Sequence, residues 1–247
     1  MQALQTSRLR SIAKVIILSG FALCTPSLLA QSGLVTYTAE YEASYKGKRI
    51  GTSVFSVTRD KSSSAYIYES ITTVKGLARF VSPRPVIDRS LFETIDGAIR
   101  PLEFWHEDGS RKGEENEHIA FNWEDGLAVM SGEFGSRELN LKPGIVDRAS
   151  LQVTIMADLN RGIEPMRYAV ANEDSIEVYN YVAQGNTQIS TRIGELDAVS
   201  YVQQREGSSR RTIIYMAPAL EHVPIRIEQL RDDETLSAFV LTAFERL

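Results

Sequence analysis

The chain has 247 residues with 27 Lys and Arg, 32 Asp and Glu, a formal net charge of −5, and one cysteine. That length allows one large β domain or two small ones. An acid surplus without basic clusters argues against nucleic acid or anionic lipid as a default partner.

The first thirty residues differ from the rest. Arg8, Arg10 and Lys14 precede an apolar run, Val15–Cys24, and then Thr25-Pro26-Ser27-Leu28-Leu29-Ala30. The run is about ten residues long, half of what a bilayer-spanning helix needs. Basic, apolar and small-residue regions in this order predict a cleaved signal peptide over 1–30, with a periplasmic destination. The remaining 31–247 then reads as a single β-rich domain that does not span the membrane. Removing three basic residues and no acids leaves 24 against 32, a net charge of −8. Cys24 is the only cysteine, and Leu23 stands where a lipidation site wants a small residue. The exported chain is therefore expected to have no disulfide, no thiolate nucleophile and no cysteine-held metal.

Short segments of two-residue alternation follow. Tyr37, Ala39, Tyr41, Ala43 and Tyr45 share one side of a strand, and Thr36, Thr38, Glu40, Glu42 and Ser44 the other. Lys46-Gly47-Lys48 turns into Ile50–Val57, and Asp60–Ser64 into Tyr66–Val74. Asp96-Gly97, Asp108-Gly109 and Asp125-Gly126 lie between apolar stretches and predict tight hairpins. Further strands are expected at Ile176–Val182, Thr187–Thr191, Ala198–Gln204, Arg211–Met216, Val223–Gln229 and Leu236–Phe244.

One segment changes period. Asp147 can cap a helix, Leu151, Ile155, Met156 and Leu159 recur at helical spacing, and Asn160-Arg161-Gly162 supplies a stop. The fold class is mainly β: a strongly curved antiparallel sheet, as an open or closed barrel or a half-barrel wrapping this one helix. A β-sandwich is the alternative.

Catalytic signatures are missing. His106 and His118 lie in acidic surroundings without metal-ligand spacing, so both are expected on an exposed hairpin, and His222 in a turn. No nucleophile elbow or phosphate loop occurs. The carboxylate runs Glu114/Glu115/Glu117 and Asp232/Asp233/Glu234 read as solvated turns rather than acid–base pairs. No cofactor or metal is expected, and no enzyme activity. Aromatics are more suggestive: Phe104, Trp105, Phe121 and Trp123 flank one hairpin. Ordinary core packing accounts for most such rings. Concave sheets also form ligand cavities, so Phe121, Trp123 and Phe104 are the candidate lining of an apolar site.

Three patterns then occur in order: Tyr41-Glu-Ala-Ser-Tyr-Lys-Gly47 leading to Ile50-Gly51, Asp147-Arg-Ala-Ser-Leu151, and Val223-Pro-Ile-Arg-Ile-Glu228. Their order resembles the DUF3108 family of bacterial exported proteins, from about Tyr37 to Phe244. The resemblance implies an exported β-rich protein and brings no catalytic residues to carry over. Arg148-Ala149 stands where that pattern favours a Pro or small residue.

Three functions compete: a non-catalytic periplasmic carrier of an apolar or amphiphilic ligand such as a lipid, an envelope protein–protein interaction module, and a carboxylate-dependent envelope hydrolase. A cavity facing the helix favours the first.

Overall fold

The computed structural model describes residues 34–80, 82–132, 135–172, 175–205 and 208–247. The expected signal segment Met1–Ala30, with Cys24, lies outside them. Two-residue alternation becomes strands almost without interruption. β1 (Tyr37–Tyr45), β2 (Lys48–Arg59) and β3 (Tyr66–Val74) lead through a 3-10 turn at Gly76–Phe80 into β4 (Val86–Ile95) and β5 (Ala98–Glu107). β6 (Glu117–Asn122), β7 (Leu127–Gly132) and β8 (Gly135–Asn140) carry the meander to one edge. The chain then forms β9 (Ile145–Asp147), helix α1 (Arg148–Asn160) and β10 (Arg167–Ala171). It closes with β11 (Ile176–Thr191), β12 (Gly194–Arg205), β13 (Arg210–Ala217), β14 (Val223–Arg231) and β15 (Glu234–Arg246).

Among the described residues these strands make one 15-stranded sheet, ordered β8 to β1 and then β15 to β9. The sandwich alternative is thereby excluded. The sheet is antiparallel except where β9 runs parallel to β10. Its curvature has a local cause. Register shifts interrupt the ladders at Glu40/Tyr41, Ala43/Ser44, Leu91/Phe92, Ala183/Gly185, Tyr215/Met216 and Gln229/Leu230. Each such bulge bends its strand and increases twist. The sheet stays open at β8 and β9, but it curls until β9 lies against β5, with α1 in the hollow packing on β3, β4, β5, β9 and β10.

Alternation decides which side chains enter the hollow. Tyr37, Ala39, Tyr41 and Ala43 are buried, while Tyr45 emerges at the strand's end. The Tyr41 hydroxyl donates to the Pro224 carbonyl oxygen at 2.7 Å, tying β1 to a strand two places away. Gly51 is required by close approach: a Cβ there would sit 2.1 Å from the Thr73 carbonyl oxygen.

Turn chemistry is mixed. Lys46-Gly47 and Asp96-Gly97 each have both φ angles positive, the conformation of two-residue hairpins with matched twist. The other two Asp-Gly pairs do not form such hairpins. Asp108 opens a loop running to Asn116, its carboxylate accepting from the Ser110 N–H and hydroxyl, both at 2.8 Å, and from the Glu115 N–H at 3.2 Å. Asp125 sits in a four-residue turn, accepting from the Asn122 side-chain amide at 2.6 Å. In both cases the Asp side chain organises a longer loop. The two strands expected at Ile176–Val182 and Thr187–Thr191 are one continuous strand, β11.

Candidate functional site

The start of α1 organises the interior. Asp147 is the N-cap, with 0% of its surface exposed. One carboxylate oxygen accepts from the Ala149 and Ser150 N–H groups at 2.8 and 2.7 Å. The other accepts from the Ser90 hydroxyl at 2.6 Å and the Ser150 hydroxyl at 2.8 Å. The Asp147 N–H returns to the Ser150 oxygen at 3.1 Å, completing a capping box. Ser90 belongs to β4, so the cap also fastens α1 to the sheet. Burial pushes the Asp147 carboxyl above the ordinary Asp range, against the pull of these donors.

The helix buries Ala149, Ser150, Leu151, Val153, Ile155 and Met156, and Leu159 packs partly buried against the core. These positions extend beyond a single amphipathic stripe, as expected where walls stand on more than one side. A helix of 13 residues is about 20 Å long, too little to fill the inside of so wide a sheet.

The space it leaves is a concavity of about 400 Å³. One wall comes from Phe55 on β2, Tyr68, Ser70 and Thr72 on β3, and Val86 and Asp88 on β4. Leu151, Gln152 and Ile155 form the helical side. Opposite stand Tyr181, Gln203, Ile214, Ile227 and Phe239, one from each of β11 to β15. The volume falls within the roughly 300–1,000 Å³ of small-molecule sites. Burial pushes the Tyr68 and Tyr181 phenols well above their ordinary range, so both stay neutral.

Two charged side chains, Asp88 and Arg148, also line the space. Arg148 donates to Glu117 at 2.7 Å and lies over the Phe104 ring, 5.2 Å from its centroid. His106 Nδ1 lies 2.8 Å from the Asp88 carboxylate. Asp88, His106 and Glu117 are direct cross-strand neighbours on β4, β5 and β6. The expectation of His106 on an exposed hairpin is thus corrected, because β4 places a carboxylate opposite it and leaves its side chain 16% exposed. His118 lies one register position away, stacks on Trp105 at 5.4 Å and approaches Glu103 at 3.8 Å. Successive residues face opposite sides of a strand, so the two histidines do not converge. His222 takes a left-handed turn conformation before β14, its Nδ1 2.6 Å from the Asn160 side-chain oxygen. Among the described residues no group of three or more His, Cys, Asp or Glu is placed to hold a metal.

None of the three aromatics expected to line the apolar site does so, although Phe104 packs behind the lining residue Arg148. Phe104 is fully buried, while Phe121 and Trp123 stack at 6.2 Å with planes 8° apart. Trp123 donates its indole N–H to the Pro101 carbonyl oxygen at 2.6 Å. Phe104 and Phe121 belong to the packed core and Trp123 lies against it. The residues that do line it come from β2 to β4, α1 and β11 to β15. Only the inward alternation of Phe55, Tyr181 and Ile214 marked them in the sequence.

No curated protein matches the chain in sequence. In fold it is similar to a β-barrel-like DUF1849 protein from Brucella abortus, at 11% identity and TM-score 0.52, over 87% of this chain and 98% of that one. A structure of the Pseudomonas aeruginosa MucA/MucB complex matches at 10% identity and TM-score 0.38, over 87% of this chain and 53% of that one. A Bacteroides fragilis protein with a YmcC-like fold matches at 10% identity and TM-score 0.39, over 85% of this chain and 95% of that one. The DUF3108 family model, for proteins of unknown function, matches residues 40–239, and the chain belongs to that family.

Proposed function

We propose that this is an exported, non-catalytic protein of the bacterial envelope that shelters an amphiphilic molecule in the concavity beside α1. The observation that carries the reading is the hollow itself: ten of its eighteen lining residues are rings or aliphatic side chains, and the other eight are Asp88, Arg148, three hydroxyl-bearing and three amide-bearing side chains. A lining that combines apolar walls with polar and charged groups suits a ligand having an apolar chain and a polar end. Export is supported by the basic, apolar and small-residue order of residues 1–30.

The test is titration of delipidated protein with a fluorescent fatty-acid analogue. Saturable binding is expected. Thr212, half-buried on β13, lines the space, so Thr212→Trp projects a ring into it and should weaken binding by at least about tenfold. Trp123→Ala, outside the space, should leave affinity unchanged. Absence of binding, or a loss caused by Trp123→Ala and not by Thr212→Trp, overturns the reading in favour of a protein-interaction module.

A further inference from the structure

We infer that the segment between β3 and β4 docks the protein on an anionic lipid surface, at the rim of the concavity. This rests on the amphiphile-binding reading and adds where the ligand is exchanged.

The 3-10 turn at Gly76–Phe80 buries none of its residues. Leu77 is 83% exposed and Phe80 is 78% exposed, the two most exposed large apolar side chains among the described residues. Scattered single apolar residues on a surface are ordinary. Two within one turn, flanked by cations, are not. From Val74 to Val86 the sequence holds Lys75, Arg79 and Arg84 and no acid, in a chain whose net charge is −5. Neither Lys75 nor Arg79 has a carboxylate partner in the ion pairs among the described residues. Arg84 is used structurally. Its guanidinium donates to the Ser110 and Arg111 carbonyl oxygens at 2.6 and 2.7 Å, which fastens the segment to the loop that follows β5.

Composition counted over the whole chain argues against anionic lipid, but Lys75, Arg79 and Arg84 line one recess that holds no acid, while Glu107 and Asp108 share a second recess with Arg84. Cations bracketing exposed Leu and Phe are the pattern of interfacial anchors: rings enter the headgroup boundary while the cations meet lipid phosphates. Placement gives the patch its purpose. Thr72 and Val86, paired at the ends of β3 and β4, both line the concavity. The turn that joins these strands therefore stands at its rim, where a docked protein can pass an apolar chain between bilayer and hollow without exposing it to water.

The experiment uses the full chain in the form its host accumulates, sedimented with vesicles of pure phosphatidylcholine or of equal parts phosphatidylcholine and phosphatidylglycerol. Binding to the mixed vesicles is expected, falling as salt is raised. Each cation near an anionic surface is worth about fivefold, so Lys75→Gln with Arg79→Gln should weaken binding by about 25-fold. Leu77→Ser with Phe80→Ser should abolish sedimentation. These side chains are exposed, so circular dichroism should show the fold intact, and affinity for the soluble fatty-acid analogue should not change. Wild type that ignores mixed vesicles yet binds the soluble analogue overturns the docking inference and leaves the carrier reading standing. Failure to bind the analogue overturns the carrier reading itself. Sedimentation that none of the four substitutions alters, or a Leu77/Phe80 effect seen on a co-purifying protein and not on vesicles, also overturns the docking inference.

Discussion

Asp147→Ala is expected to destabilise the folded chain by about 3–5 kcal/mol, well beyond the ~0.5–2 kcal/mol of an ordinary N-cap. The excess comes from the surroundings. Two backbone N–H groups and the Ser90 and Ser150 hydroxyls all donate to this carboxylate inside a region closed to water. Removing the acceptor orphans several buried donors together, and the link from α1 to β4 goes with it. Urea midpoints measure this directly. A loss below about 1 kcal/mol would show that water reaches the cap.

The same carboxyl gives a pH dependence of defined sign. Burial raises its pKa, so the folded chain holds this proton more tightly than the unfolded chain does. Its contribution favours folding most below about pH 4, the unfolded value. That contribution is lost as pH rises to the higher folded value, and beyond it the contribution is level. Asp147→Asn keeps a capping oxygen and has no proton to release. Wild-type stability relative to Asp147→Asn should therefore fall as pH rises through that window. A wild type that gains on the variant over the same range contradicts the burial argument.

Ile155→Ala is the second large effect, at about 2–5 kcal/mol. Ile155 is 2% exposed and sits where α1 meets the concavity. Its truncation removes apolar contact and merges new empty volume with the space already there, so neighbouring side chains have little to collapse onto. Thermal melts should drop by several degrees, and binding of the fatty-acid analogue should persist in the enlarged site. An unchanged melting temperature would mean that the helix does not bear on the interior.

The helix and most strands were legible in the sequence because each rests on a local signal. Asp147 with Ser150 marks a cap, and Tyr37 to Ala43 marks a period of two. Signals failed where one side chain serves a longer loop, as at Asp108 and Asp125. They failed again where a polar edge strand has no buried face, as in β8, which no alternation marked. The lining of the concavity is not legible for a different reason. Which aromatic becomes a plug and which a wall depends on pairings such as Tyr181 with Gln203 and Ile214 with Ile227, far apart in the chain. Phe121 and Trp123 looked equally suitable by alternation. In the fold both pack into the core, Phe121 within it and Trp123 against it. His106 was misplaced likewise, since its partner Asp88 is brought opposite by register alone.

The most direct measurement is a crystal structure of delipidated protein soaked with a long-chain fatty acid brominated near its tail, with bromine located by anomalous scattering. One dominant bromine peak is expected within the space bounded by Phe55, Ile155, Ile214 and Phe239, and no such peak in Thr212→Trp crystals. Bromine beside Phe121 and Trp123, or no ordered bromine while the concavity holds only water, would contradict the carrier reading.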